Sequence, residues 1–167
     1  PVSRYGHTAV YDAPRDRILV FAGRTPALNN ETWALDLSTN PPTWHLLATS
    51  GSTPGGRIQH VAIMDPPRNR MVMYGGTGQQ RYQDVWTLTL DATLPWTRLA
   101  SVSSIGSLTG AGAGYDGAVD QMVVFGGSDG SNYSNQIRRL KLSDITWTSV
   151  SPGLVSPAGR TLAAFAY

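Results

Sequence analysis

The stretch Arg4-Tyr-Gly-His-Thr-Ala-Val-Tyr-Asp12 returns as Arg57-Ile-Gln-His-Val-Ala-Ile-Met-Asp65, more loosely as Leu108-Thr-Gly-Ala-Gly-Ala-Gly-Tyr-Asp116, and starts again at Arg160-Thr-Leu-Ala-Ala-Phe-Ala-Tyr167, at spacings of 53, 51 and 52 residues. A period of this length marks a repeat architecture, in which one supersecondary unit recurs and buries its apolar face on its neighbour. The rest of the unit keeps the same register. Eleven residues after each Asp, a small-residue pair closes an apolar run: Ile18-Leu-Val-Phe-Ala-Gly23, Met71-Val-Met-Tyr-Gly-Gly76 and Met122-Val-Val-Phe-Gly-Gly127. Then come Trp33-Ala-Leu-Asp-Leu37, Trp86-Thr-Leu-Thr-Leu90 and Arg138-Arg-Leu-Lys-Leu142, whose alternation is that of a half-buried strand. A fourth segment opens at Trp44, Trp96 or Trp147 and ends at Leu47, Leu99 or Val150. Plain alternation puts its two ends on opposite faces, so it is expected to be an outer strand anchored by the Trp, bulged if both ends are to face one way.

Each unit is therefore four short strands joined by three turns. Between the first two strands lie Asp12-Ala-Pro-Arg-Asp-Arg17, Asp65-Pro-Pro-Arg-Asn-Arg70 and Asp116-Gly-Ala-Val-Asp-Gln121, rich in the residues that preset turn dihedrals. The second strand is apolar at consecutive positions. A sheet with one wet face has no use for that, whereas a sheet held between two others does, so the units are expected to stack face to face.

Composition agrees with an all-β domain. The 167 residues include 18 Gly, 11 Pro and five Trp, with 14% charged and 41% hydrophobic, a turn-rich and aromatic balance unlike a helical bundle or a disordered tail. A net charge of +2 with scattered basic residues gives no case for nucleic acid. No run approaches the ~18 apolar residues of a membrane helix, so membrane insertion is not expected. Without Cys, disulfides, zinc thiolates and thiol catalysis are excluded. The compartment stays open, an extracellular setting being slightly favoured over a cytoplasmic one. The start at Pro1 suggests a processed or excised segment.

A four-stranded unit of about 50 residues, with Arg-x-x-His opening its first strand, Phe/Tyr-Gly-Gly ending its second and a Trp in each of the last two, resembles the kelch repeat. The resemblance covers nearly the whole chain and implies blades of a β-propeller, sheets arranged radially about a channel. Blade 1 would span about 4–47, blade 2 57–99 and blade 3 108–150, with the first strand of blade 4 at about 158–167. Blade 3 departs from the pattern at Leu108, Ala111 and Arg138, which replace the Arg, His and Trp. Three blades and a strand form an open arc that would leave two apolar flanks wet. The expectation is a partial propeller from a six- or seven-bladed ring, the missing blades coming from the same chain or from a second copy. In the second case Arg160–Tyr167 would compete with Arg4–Tyr11 for one slot.

For Arg4, Arg57 and Arg160 the family resemblance implies a place near the mouth of the channel, where a guanidinium fork suits the carboxylates of an acidic protein or peptide partner. The competing reading is an inter-blade salt bridge or a clamp on loop carbonyls, favoured by the repetition itself. The loops 24–31, 77–84 and 128–135, and those between blades, differ most between copies and would carry specificity. Arg24, Arg81, Tyr82, Asn132 and Tyr133 are the contact residues expected there. His7 and His60 are expected in the scaffold and His45 at the surface, so neither a metal centre nor a cofactor is expected. Gly112-Ala-Gly-Tyr-Asp-Gly117 matches a dinucleotide fingerprint in letters only, since the repeat places a strand and a hairpin there. Asp129-Gly-Ser-Asn132 lacks the regular spacing and closing Glu of a calcium loop. Asn30 and Asn132 open glycosylation sequons.

The resulting expectation is a non-catalytic scaffold presenting one propeller face to a protein or peptide. The alternative is the propeller core of a secreted enzyme similar to galactose oxidase, with catalytic residues outside this segment. A lyase-assisting propeller like the plant specifier proteins and a purely architectural module stand behind these.

Overall fold

Neighbouring side chains on a strand point to opposite faces, so a run such as Met71-Val-Met-Tyr74 needs apolar cover on both sides. The computed structural model, which describes residues 1–99, 105–151, 153 and 156–163, supplies that cover by stacking three sheets, with no α-helix among the described residues. The first sheet takes β1 (Thr8–Asp12), β2 (Arg17–Phe21), β3 (Thr32–Asp36) and β4 (Thr43–Leu46) in sequence order, all antiparallel. A two-residue strand β5 (Ser50–Gly51) follows. The second sheet is built likewise from β6 (Val61–Asp65), β7 (Arg70–Tyr74), β8 (Val85–Thr89) and β9 (Pro95–Leu99), and the third from β10 (Thr109–Asp116), β11 (Gln121–Ser128), β12 (Ile137–Lys141) and β13 (Thr146–Val150). The first strands β1, β6 and β10 lie side by side, the arrangement of consecutive propeller blades.

Two cores fill the spaces between sheets. Leu19, Phe21 and Ala34 of the first sheet meet Met71, Met73, Trp86, Leu88 and Trp96 of the second. On the other side of β7, Val72 and Tyr74 join Val61, Ile63 and Val85 against Leu108, Met122, Val124, Leu140 and Trp147. Burial of each Val, Leu, Ile, Phe or Met among them contributes about 1.5–3 kcal/mol. β9 pairs with β8 from Val85↔Leu99 to Leu88↔Trp96 in unbroken register, so no bulge is present. Trp96 serves one core and Leu99 leans on the other, which is why the outer strand keeps apolar residues of opposite parity.

The first hairpin turns follow from their residues. Pro starts a single 3-10 turn at Ala13–Arg15 and at Pro66–Arg68, and Asp16 (φ 43°) and Asn69 (φ 48°) then take the left-handed conformation that Asp and Asn tolerate best after Gly. Asp12 and Asp65 are fully buried and hold Arg17 and Arg70 at 2.7 Å. β5 pairs parallel with β9 and so links the loop leaving the first blade to the rim of the second. Gly51 is required there, because a Cβ would lie 2.6 Å from the Trp96 carbonyl oxygen. Of the expected fourth-blade strand, residues 164–167 lie outside those described. Residues 158–163 run beside the third sheet without a strand assignment, Leu162 donating to Gly110 O at 2.6 Å.

Candidate functional site

The strands run between two rims, one carrying the first-hairpin turns and the other the loops 24–31, 77–84 and 128–136 together with the links between blades. Arg57 stands at the second rim but inside it, with no exposure. Its guanidinium donates to both Asp84 carboxylate oxygens at 2.6 and 3.1 Å, to Gly75 O at 3.0 Å and to Gly55 O at 3.0 Å, while the Tyr82 ring lies 3.9 Å from its Cζ. Trp86 Nε1 donates to the same carboxylate at 2.7 Å. Burial alone would raise the Asp84 carboxyl; the hydrogen bonds from Arg57 and Trp86 bring it below its ordinary value. Blade 1 repeats the set. Arg4 donates to Glu31 at 2.8 Å, to Ala22 O and to Asn29, and Trp33 Nε1 reaches Glu31 at 2.8 Å. Bonds from Arg4, Asn29 and Trp33 hold the Glu31 carboxyl down at about 2.

These clamps lie within a blade rather than between blades. Buried and donating four hydrogen bonds, Arg57 pins the loop; Arg4 keeps only 4% side-chain exposure. Tyr82, as the stacking face under Arg57, is likewise part of the clamp. The acid that completes each set was legible two residues before the Trp, in Glu31-Thr-Trp33 and Asp84-Val-Trp86. His60 lies under the same rim, its Nε2 2.8 Å from Thr8 Oγ1 and its ring edge-on to Phe21. Burial, then Arg57 and His7, lower its pKa to about 3. His7 and His45 are exposed.

Blade 3 breaks the clamp at all three positions together: Leu108 replaces the Arg, Gln136 the acid and Arg138 the Trp. The cation has thus moved from the loop to the strand. Arg138 donates to Ser134 Oγ at 3.1 Å, whereas its buried Nε has no partner among the described residues, and burial lowers its pKa. It opens on a cavity of about 240 Å³ lined by Leu108, Asn132, Tyr133, Asn135 and Gln136. Asp129 also lines it, but its carboxylate accepts from the Ser131 and Asn132 amides at 2.8 Å.

Among the expected contacts, Asn132 and Tyr133 line this cavity, Tyr133 being 66% exposed. Arg81 crosses from blade 2 and lies over Gly130, where a Cβ would sit 2.1 Å from its Cζ. Exposed Arg160 donates its backbone N–H to Ser134 O at 3.1 Å, on the cavity wall. Arg24 is apart from these, lining a second cavity of about 390 Å³ with Arg4 and Tyr5. Arg138 was absent from the expected contacts although its departure from the repeat was visible. Among the described residues no group of three or more His, Asp or Glu could hold a metal, and no helix is long and apolar enough to cross a membrane.

The fold just described recurs in a solved structure. Over 95% of the chain superposes on 54% of the structure titled "Structure of YjhT", with a TM-score of 0.74 at 17% identity, which shows a common fold. Dynein regulatory complex subunit 7 of Chlamydomonas reinhardtii is 38% identical over 78 residues, covering 46% of this chain and 6% of that protein. Kelch domain-containing protein 10 of Rattus norvegicus is 26% identical over 175 residues, covering 93% and 40%, and human host cell factor 1 is 27% identical over 143 residues, covering 76% and 7%. The chain thus spans less than half the length of each of these relatives. The KLHDC2/KLHL20/DRC7 Kelch-repeats domain matches residues 1–167. With the repeat, the stacked four-stranded sheets and this match in agreement, the chain belongs to the kelch-repeat family.

Proposed function

We propose that the chain is a non-catalytic scaffold that binds a protein or peptide on the loop rim of its second and third blades, with Arg81, Asn132, Tyr133, Arg138 and Arg160 as contacts. The observation that carries this reading is the meeting of Arg81 and Arg138, from different blades, at the loop 128–136, where Arg138 keeps a buried donor unpartnered among the described residues and the Arg160 backbone closes the wall. Such a donor gains most from an acceptor brought in by a ligand, and a guanidinium beside side-chain amides suits a carboxylate on an acidic segment. Tyr133 and Arg81 are of the residue types that dominate binding energy. The similarity to a protein named as a subunit of a regulatory complex supports a role in assembly.

The test is affinity capture on the immobilised protein, comparing wild type with Arg81→Ala/Tyr133→Ala and with Arg138→Met, followed by competition with acidic and basic peptides. Both variants are expected to lose capture by at least about tenfold, the loss of ~1.4 kcal/mol of contact energy, with acidic peptides competing better. Undiminished capture would remove the proposed face, and a melting temperature lowered in step with capture would make these residues structural.

A further inference from the structure

Two of the three blades fasten their loop rim through a carboxylate, and the third has the frame for it without the acid. Ala22, Gly75 and Gly126 N–H donate to the carbonyls of Glu31, Asp84 and Gln136 at 3.0, 3.2 and 3.4 Å, so the backbone puts Gln136 where the other blades put the acid. Gln136 and Arg138 stand two residues apart at the entry to β12 and share a face, as Asp84 and Trp86 do at the entry to β8. In blade 2 that spacing lets Asp84 accept from Trp86 Nε1 at 2.7 Å as well as from Arg57, and in blade 1 Glu31 accepts from Trp33 and Arg4, each at 2.8 Å. Blade 3 keeps the strand donor, as Arg138. It loses the acid to an exposed Gln136 and fills the place of the loop cation with Leu108, 3% exposed.

Arg138 is thereby left with a cation and no carboxylate. Among the described residues its one hydrogen bond runs from Nη1 to Ser134 Oγ at 3.1 Å, and Nε has no acceptor. Nε and Nη2 form one edge of the guanidinium, the fork from which a carboxylate accepts two parallel bonds. The cavity of about 240 Å³ beside Arg138 has Leu108 as an apolar wall and the amides of Asn132, Asn135 and Gln136 as polar ones. Asp129 limits the charge that can enter. Its carboxylate, held by the Ser131 and Asn132 amides at 2.8 Å, lines the same cavity, so Arg138 can balance one negative charge whereas a second would face Asp129. A monoanion with an apolar stem suits these walls better than a phosphate, which carries close to two charges.

We propose that the cavity of blade 3 is a receptor for a single glutamate side chain of the partner, which takes the place of the missing clamp acid on Arg138 and fastens the loop 128–136 as Glu31 and Asp84 fasten the loops of blades 1 and 2. This role presupposes the binding face proposed above and adds to it a coupling: the rim of blade 3 is completed by its ligand, so occupancy and blade stability rise together. The methylenes of the glutamate lie along Leu108 and its carboxylate meets the guanidinium. Glutamine in its place brings the same stem without the charge that Arg138 lacks.

The experiment supplies the acid twice, from outside and from within, in the protein as its gene encodes it. Short peptides with blocked termini carry one glutamate, or glutamine or phosphoserine in its place. At ten times its Kd the glutamate peptide should raise the melting temperature by about 3 °C, the glutamine peptide should not, and Arg138→Met should abolish the response. Gln136→Glu brings the carboxylate to Arg138 by the spacing that joins Asp84 to Trp86. It should raise the melting temperature by about 3 °C, lose that gain when combined with Arg138→Met, and weaken glutamate-peptide binding and partner capture by at least about tenfold. Because position 136 is exposed, this variant remains informative even if Arg138→Met fails to fold. A Gln136→Glu protein that is no more stable and still binds the glutamate peptide would overturn the proposal, as would a phosphoserine peptide that binds more tightly than the glutamate one. Partner capture that survives Gln136→Glu but is lost in Arg81→Ala/Tyr133→Ala would reject the receptor and keep the face; capture indifferent to both would reject the face itself.

Discussion

Arg57 and Glu31 show how one residue pattern yields unequal energetics once burial is known. Arg57 and Asp84 are 0% and 7% exposed, so removing the cation strands a buried carboxylate together with two loop carbonyls. Arg57→Met is expected to destabilise by about 3 kcal/mol in urea unfolding, whereas Arg4→Met, whose acid is 40% exposed, should cost no more than about 1 kcal/mol. Equal losses would show that the clamp acts through loop geometry and not through charge burial. His60 gives a pH signature. Its folded pKa of about 3 lies below the ordinary 6.5, so the unfolded chain binds the proton first. Stability from this residue is complete above pH ~6.5 and is lost as pH falls toward ~3, with a slope of about one proton. Stability measured from pH 7 to 4 should lose that slope in His60→Gln; an unchanged slope would place the titration elsewhere. The clamp cations and histidines could be located from the period, but their burial could not, because a residue at a channel mouth and one beneath it share the same spacing.

At the scale of strands and turns, the alternation of β7 between two cores and the left-handed hairpin residues follow directly from the residue pattern. β9 is the outer strand anchored by its Trp, without the bulge that the sequence left open: opposite faces for its two ends are what two flanking cores require. Trp96→Ala should therefore cost about 3–5 kcal/mol, read from chemical denaturation, since the ring is 2% exposed and packs on Phe21 at 4.7 Å. A loss below 1 kcal/mol would mean that the outer strand is peripheral to the core. β5 gave no signal, because two residues cannot show a period and their pairing is set by where β9 lies. The cavity of blade 3 was half visible: Leu108 and Arg138 stood out as departures, yet only packing brings Arg81 from the neighbouring blade and Arg160 from the following unit to the same loop.

For the whole molecule, blade 1 carries several exposed large apolar groups, with Tyr11, Trp44 and Leu46 52%, 42% and 56% exposed. Produced alone, the 167 residues should bind a hydrophobic dye, and Trp44→Ser/Leu46→Ser should reduce that binding at least about twofold without lowering the melting temperature. Dye binding unaffected by the pair would locate the sticky surface elsewhere. Repetition by itself determined the strands, their order within a blade and the need for neighbours, because hydrophobic period and turn chemistry are local and recur in register. Which cations are buried and which lie beside a neighbouring blade's loop were decided only by the tertiary structure. Those properties depend on distances between residues some 50 positions apart, and small differences in packing turn the same letters into a buried clamp or an exposed side chain.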